Sequence, residues 1–165
     1  MFTTASSFVH EWKQEAAVTQ KVLDALTDES LKQEVAPDLY SIGSVAWHIT
    51  GSAYYFPAQL GITFDVPDLR KEAPTSAAEI SETYNIVSTR LAEAVSDQVS
   101  DEKMNEVVNL FGMDMPVQAV FRLLIQHQAH HRGQLTTLMR QAGLNVPGVY
   151  GPSKEEWEAM NAQKN

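Results

Sequence analysis

The sequence predicts an all-α protein folded as a four-helix bundle. Four segments repeat apolar residues at spacings of three and four. Turn-rich stretches holding Pro, Gly and Asp separate them. Four amphipathic faces are most simply buried by packing them on one another around a shared core. A chain of 165 residues, 44% hydrophobic and 20% charged, suits one domain spanning residues 1–165.

The first helix is expected from about Thr4 to Leu26, with Phe8, Trp12, Thr19, Val22, Leu23 and Leu26 on one face. Thr27-Asp28-Glu29-Ser30 and Pro37 end that pattern. The second helix starts at Ser41 or Ser44, either of which can cap it, and ends before Pro57. The third opens on Ser76-Ala77-Ala78-Glu79, which has capping-box spacing, and runs to about Val95 on Ile80, Tyr84, Val87 and Leu91. Between Ser96 and Met115 the pattern is ambiguous, and Val107 to Gly112 suits a short extended piece with a turn. The fourth helix starts near Pro116 with Asp114 close to the cap, and runs to about Ala142 with Gly143 as its stop. A short tail helix from about Ser153 carries a second capping-box spacing, Ser153 to Glu156.

Composition excludes several functions. A net charge of −9 without clustered Lys or Arg argues against a nucleic-acid partner. No run approaches the roughly 18–20 apolar residues of a membrane span. The N-terminal stretch has neither a basic region nor an apolar core like those of a signal peptide. A soluble, cytoplasmic protein is expected. With no cysteine there is no disulfide, thiolate metal site or cysteine nucleophile. A metal would be held by His, Asp or Glu, and any thiol would come from outside.

Three of the five histidines fall in the fourth helix, in Gln126-His127-Gln128-Ala129-His130-His131-Arg132-Gly133-Gln134. At about 100° per residue, His127 and His131 lie about 40° apart, amid Val120, Leu123, Leu124 and Leu138. His130 sits at the edge of that stripe and Arg132 points away from it. Imidazoles facing a core carry a desolvation cost unless their nitrogens are satisfied, and a metal held by an i, i+4 pair does so. His48 is the other histidine placed mid-helix among apolar residues, and it completes a three-nitrogen set with open positions for water or substrate, as in catalytic sites. Taken alone, His48 would also suit a core residue with satisfied nitrogens. Imidazole ligands leave zinc, nickel, iron and copper all open.

Glu15 and Thr19 are polar residues on the apolar face of the first helix. Glu15 suits a partner for a ligand imidazole, a general base, or a charge that reaches solvent. Tyr55, on the His48 face, is either a core aromatic or a substrate contact. His10 points to solvent, and His130 suits a rim or interface position.

Leu124-x-x-His127-x-x-His130-His131-Arg132-Gly133-Gln134, with Ser41-Ile-Gly-Ser-Val-Ala-Trp47-His48 upstream, resembles the DinB family. The resemblance covers nearly the whole chain, from Glu15-x-x-x-Thr19 to Gln141-Ala142-Gly143, Pro147 and Tyr150-Gly151-Pro152, and the metal motif shows no departure. It implies a DinB/YfiT-like bundle of up-down-down-up topology. It also implies a divalent metal, commonly zinc or nickel, on His48, His127 and His131, and a homodimer in many members. Characterised relatives include transferases using bacillithiol or mycothiol and a maleylpyruvate isomerase. Others are described only as metal-dependent hydrolases or DNA-damage-inducible proteins.

The leading expectation is a metal-dependent S-transferase using a low-molecular-weight thiol, with specificity in the loops at about 57–75 and 96–115. The alternatives are a hydrolase working through a metal-bound hydroxide and a non-catalytic metal-binding stress-response protein.

Overall fold

A computed structural model describes residues 2–162 and is mostly helical, with five α-helices and a small two-stranded sheet. The first helix, α1 (Ala5–Asp24), begins at Thr4. Its hydroxyl accepts the Ser7 N–H at 3.1 Å while the Ser7 hydroxyl accepts the Thr4 N–H at 3.3 Å, so two orphan donors are satisfied together. Phe8, Trp12, Thr19, Val22, Leu23 and Leu26 are all buried. Phe8 stacks between Trp12 and Phe121, and the Trp12 indole N–H donates to the Ser88 carbonyl at 2.9 Å.

Helix α2 (Ile42–Ala58) is capped by Ser41 and carries Pro57 within its last turn. The expected end before Pro57 is therefore short by two residues. A proline so near the end forfeits a single helical bond, and the chain closes behind it: the Leu60 and Ile62 N–H groups both donate to the Pro57 carbonyl, at 2.9 and 3.1 Å. Helix α3 (Ala77–Gln98) buries Ile80, Tyr84, Val87, Leu91 and Val95. Its Ser76 cap accepts the Glu79 N–H, but the reciprocal arm of the expected box is absent, and Asp28 takes the Ala77 N–H at 2.7 Å.

The ambiguous stretch resolves into an antiparallel hairpin, β1 (Val107–Leu110) and β2 (Met113–Pro116). Its two turn residues, Phe111 and Gly112, have φ of 52° and 82°. Both lie in the left-handed region that a two-residue hairpin turn requires. Asn109 braces the turn: its amide oxygen accepts the Gly112 N–H at 3.1 Å and its NH2 donates to Asp114 at 2.7 Å. Asp114 is thus drawn into the hairpin and does not cap the following helix. Helix α4 (Val117–Gln141) starts after Pro116 without a side-chain cap, and the Val117 N–H donates instead to the Glu106 carbonyl at 2.9 Å.

At its other end Gly143, with φ of 76°, turns the chain so that its N–H reaches the Arg140 carbonyl and the Leu144 N–H reaches that of Met139. Ser153 and Glu156 exchange both capping bonds ahead of α5 (Lys154–Ala162). Helix α1 packs on α3 and α4, and α2 packs on α3 and α4. One apolar core fills the space between them, and α5 buries none of its residues.

Candidate metal centre

The α2 and α4 surfaces that face each other carry His48 on one side and His127 with His131 on the other. One ligand nitrogen from each lies within 4.8 Å of the others, the one such cluster of three or more potential ligands found among the described residues. The Nε2 atoms of His48 and His127 face each other at 2.8 Å. The ring centroids are 4.9, 4.5 and 4.4 Å apart, with the rings set edge to face. A tetrahedral ion with bonds of about 2.0–2.1 Å needs its nitrogens about 3.3 Å apart, so small side-chain adjustments would seat one. Three imidazoles aimed at one point with no carboxylate between them are a donor set suited to a borderline divalent cation.

The electrostatics agree with that chemistry. Burial, aided by neighbouring His131, His48 and His130, lowers the His127 pKa from 6.5 to about 4. Burial also lowers His48 and His131, with neighbouring imidazoles adding to it. All three are therefore neutral at pH 7, the form in which imidazole binds a metal. His131 is oriented by Gln134, whose amide oxygen accepts its Nδ1–H at 2.7 Å. That bond leaves Nε2 of His131 unprotonated and available. The Gln134 NH2 lies 3.2 Å from Nε2 of the exposed His130, whose ring also packs on His131. Ser52 Oγ stands 3.1 Å from His127 Nε2.

The histidines do not face the closed core that their stripe suggested: His48 is exposed and His127 and His131 are half-buried. Val120, Leu124, Leu135 and Leu138 fill the interior beneath them. His48 and His127 line an open cleft. That cleft has a volume of about 920 Å³, and Trp47, Tyr55, Phe56, Leu69, Phe111 and Leu123 line it beside His48 and His127. Both loops singled out for specificity contribute: Leu69, Lys71, Glu72 and Ala73 from one side and Phe111 of the hairpin from the other. Tyr55 is on the cleft wall.

Glu15 has other partners. Its carboxylate pairs with Arg132 at 2.8 Å and accepts the Tyr150 hydroxyl at 2.9 Å, so it holds a guanidinium and not an imidazole. Arg132, expected to point away from the apolar stripe, does so into a second buried face, where it is 1% exposed. It donates to the Glu15 carbonyl, the Glu15 carboxylate and the Thr19 hydroxyl, and bonds the Tyr150 hydroxyl. Sequence reasoning missed Gln134 as the residue that orients a ligand, although its place three residues after His131 on the same stripe was the available signal. It also missed Phe111, because a turn tip says nothing about which cleft it overhangs.

A mostly helical fold with three convergent imidazoles, two of them lining an open cleft, defines a candidate metal-binding protein. The sequence signature of the DinB family matches residues 1–165, and the chain belongs to that family. It is 45% identical over 157 residues to YrdA of Bacillus subtilis strain 168, covering 95% of this chain and 94% of that one. A crystal structure of a DinB-like protein from Bacillus cereus ATCC 10987 matches with a TM-score of 0.86 and 43% identity, over 91% of this chain and all of that one. The structure of YjoA, a DinB-like protein from Bacillus subtilis, shares the fold at a TM-score of 0.68 and 18% identity, covering 87% of this chain and 96% of that one.

Proposed function

We propose that this chain is a divalent-metal-dependent transferase that joins a low-molecular-weight thiol, of the bacillithiol or mycothiol type, to an electrophile bound in the α2–α4 cleft. The observation that carries the reading is the convergence of His48, His127 and His131, the first two lining an open cleft. These residues would hold zinc or nickel. A cation bound there supplies Lewis acidity, lowering the pKa of a thiol or a water that ligates it.

The chain's own residues set the rest. Gln134 fixes the His131 tautomer, and the lowered histidine pKa values keep the imidazoles neutral at pH 7. Trp47, Tyr55 and Phe56 line one side of the site, and the loop holding Leu69 and the hairpin tip line the other. Glu15, engaged by Arg132, is not free to serve as a base at the histidines. A thiol suits this arrangement, because one ligating a cation held by these histidines would ionise near neutral pH, its proton passing to solvent, without a dedicated buried base. The four long helices are proposed to form the up-down-down-up bundle of the DinB/YfiT kind, working as a homodimer.

The test is elemental analysis of untagged protein beside a His48→Ala/His131→Ala variant, followed by thiol-conjugation assays. Near-stoichiometric metal in the parent alone, with turnover that requires an added thiol, is the expected result. Turnover of ester or amide substrates without thiol would replace transfer by hydrolysis. Bound metal with no turnover of either kind would leave a non-catalytic metal-binding protein.

A further inference from the structure

We infer that the cleft selects a substrate with a flat apolar body and a metal-ligating head, and that Phe111 is the specificity-determining residue that closes over the body. This rests on the metal reading above, which supplies the anchor for the head.

Phe111 is placed against its own local preference twice over. It takes the first position of a two-residue hairpin turn, with φ of 52°, where Asn, Asp or Gly is the usual occupant. The residue is 74% exposed. Neither fact helps the hairpin, which Asn109 already braces. What the position does is set an aromatic ring at the mouth of the cleft. Its ring meets Phe56 edge to face at 6.2 Å, and Phe56 in turn lies 5.2 Å from the ring of His127. A line of rings thus runs from solvent to a ligand nitrogen. The opposite wall is fixed as well, because the Trp47 indole N–H holds the loop by donating to the Lys71 carbonyl at 3.0 Å.

Charge points the same way. The chain carries a net charge of −9, yet the charged residues lining this cleft are one lysine and one glutamate, Lys71 and Glu72, on the same loop. Their opposite signs offer no net field to select an ion, while the aromatic walls offer stacking and edge contacts to a ring. A volume of about 920 Å³ accommodates a ring system together with a small head group.

Two probes test this. In the first, zinc-loaded protein is titrated calorimetrically with benzohydroxamate and with acetohydroxamate, which share a metal-ligating head and differ by a phenyl ring. The expected result is about tenfold or greater preference for the benzo compound. That preference should fall at least about fivefold in Phe111→Asn, with acetohydroxamate affinity unchanged, and return in Phe111→Trp. Asn suits the left-handed backbone, so the hairpin is kept. An unchanged preference in Phe111→Asn overturns the proposal.

In the second, metal-free protein is titrated with the neutral fluorophore N-phenyl-1-naphthylamine. Its binding should be weakened in Phe111→Asn, and undiminished binding overturns the proposal independently of any metal. If neither hydroxamate binds the zinc-treated protein while the fluorophore still distinguishes the variant, the metal reading falls and the apolar cleft stands.

Discussion

At the scale of single residues, the site predicts its own pH response. The His127 pKa of about 4 lies below the 6.5 of an unfolded imidazole. Between those values the unfolded chain binds a proton that the folded chain does not, so metal-free protein should lose stability as pH falls from 6.5 toward 4. Above 6.5 both forms are neutral and this contribution vanishes. Urea unfolding at pH 7 and pH 5 should show a smaller loss in His127→Ala than in the parent. Arg132 makes a separate prediction. Arg132→Met would leave the Glu15 carboxylate, 13% exposed, without its cation, and should cost about 3 kcal/mol in urea unfolding. Adding Glu15→Gln to that variant should recover part of the loss. The two charges illustrate what a sequence conceals. The histidine triad was legible because i, i+4 spacing and an apolar stripe are local signals, and His48 stood out by its neighbours. Arg132 was not, because a charged side chain reads as solvent-facing until its acidic partner on another helix is known.

At the scale of elements, the helix ends were legible where a cap is a side chain at fixed spacing, as at Ser41, Ser76 and Ser153. They were less so where the cap comes from elsewhere. Asp28 reaches the start of α3 and the Glu106 carbonyl reaches the start of α4, both through tertiary proximity. Gly143 needs its φ of 76° to close α4, and a Cβ there would meet no heavy atom within 4 Å beyond its own neighbours. Gly143→Ala should therefore cost about 1 kcal/mol through backbone strain alone, measurable as a lower urea midpoint with unchanged slope. The hairpin turn makes the converse case. Phe111→Asn relieves the left-handed strain and should raise unfolding free energy by about 1 kcal/mol, a gain of the kind seen where a functional position is relaxed.

At the scale of the whole molecule, the metal reading becomes a stability measurement. A cation that binds the folded chain alone, at about 100 times its Kd, should add about 2.7 kcal/mol and raise Tm by roughly 5–10 °C. The same titration should leave His48→Ala/His131→Ala unmoved. Four amphipathic helices were legible in the sequence, but their pairing, α1 and α2 each on α3 and α4, was not, because a helix's apolar stripe does not name its partner. The cleft was not legible as a cavity, because its walls come from α2, α4, a loop and a hairpin tip that meet only after folding.

The pairing of Glu15 with Arg132 joins positions 117 residues apart, and the Tyr150 hydroxyl that completes the cluster is 135 residues from Glu15. A ribosome delivers α1 long before any of these partners. During synthesis the Phe8 and Trp12 face has no α4 to cover it, and Glu15 has no cation. Nascent chains stalled before position 132 should therefore be protease-sensitive and should favour chaperone capture, with protection arriving abruptly once the segment through Tyr150 has cleared the exit tunnel.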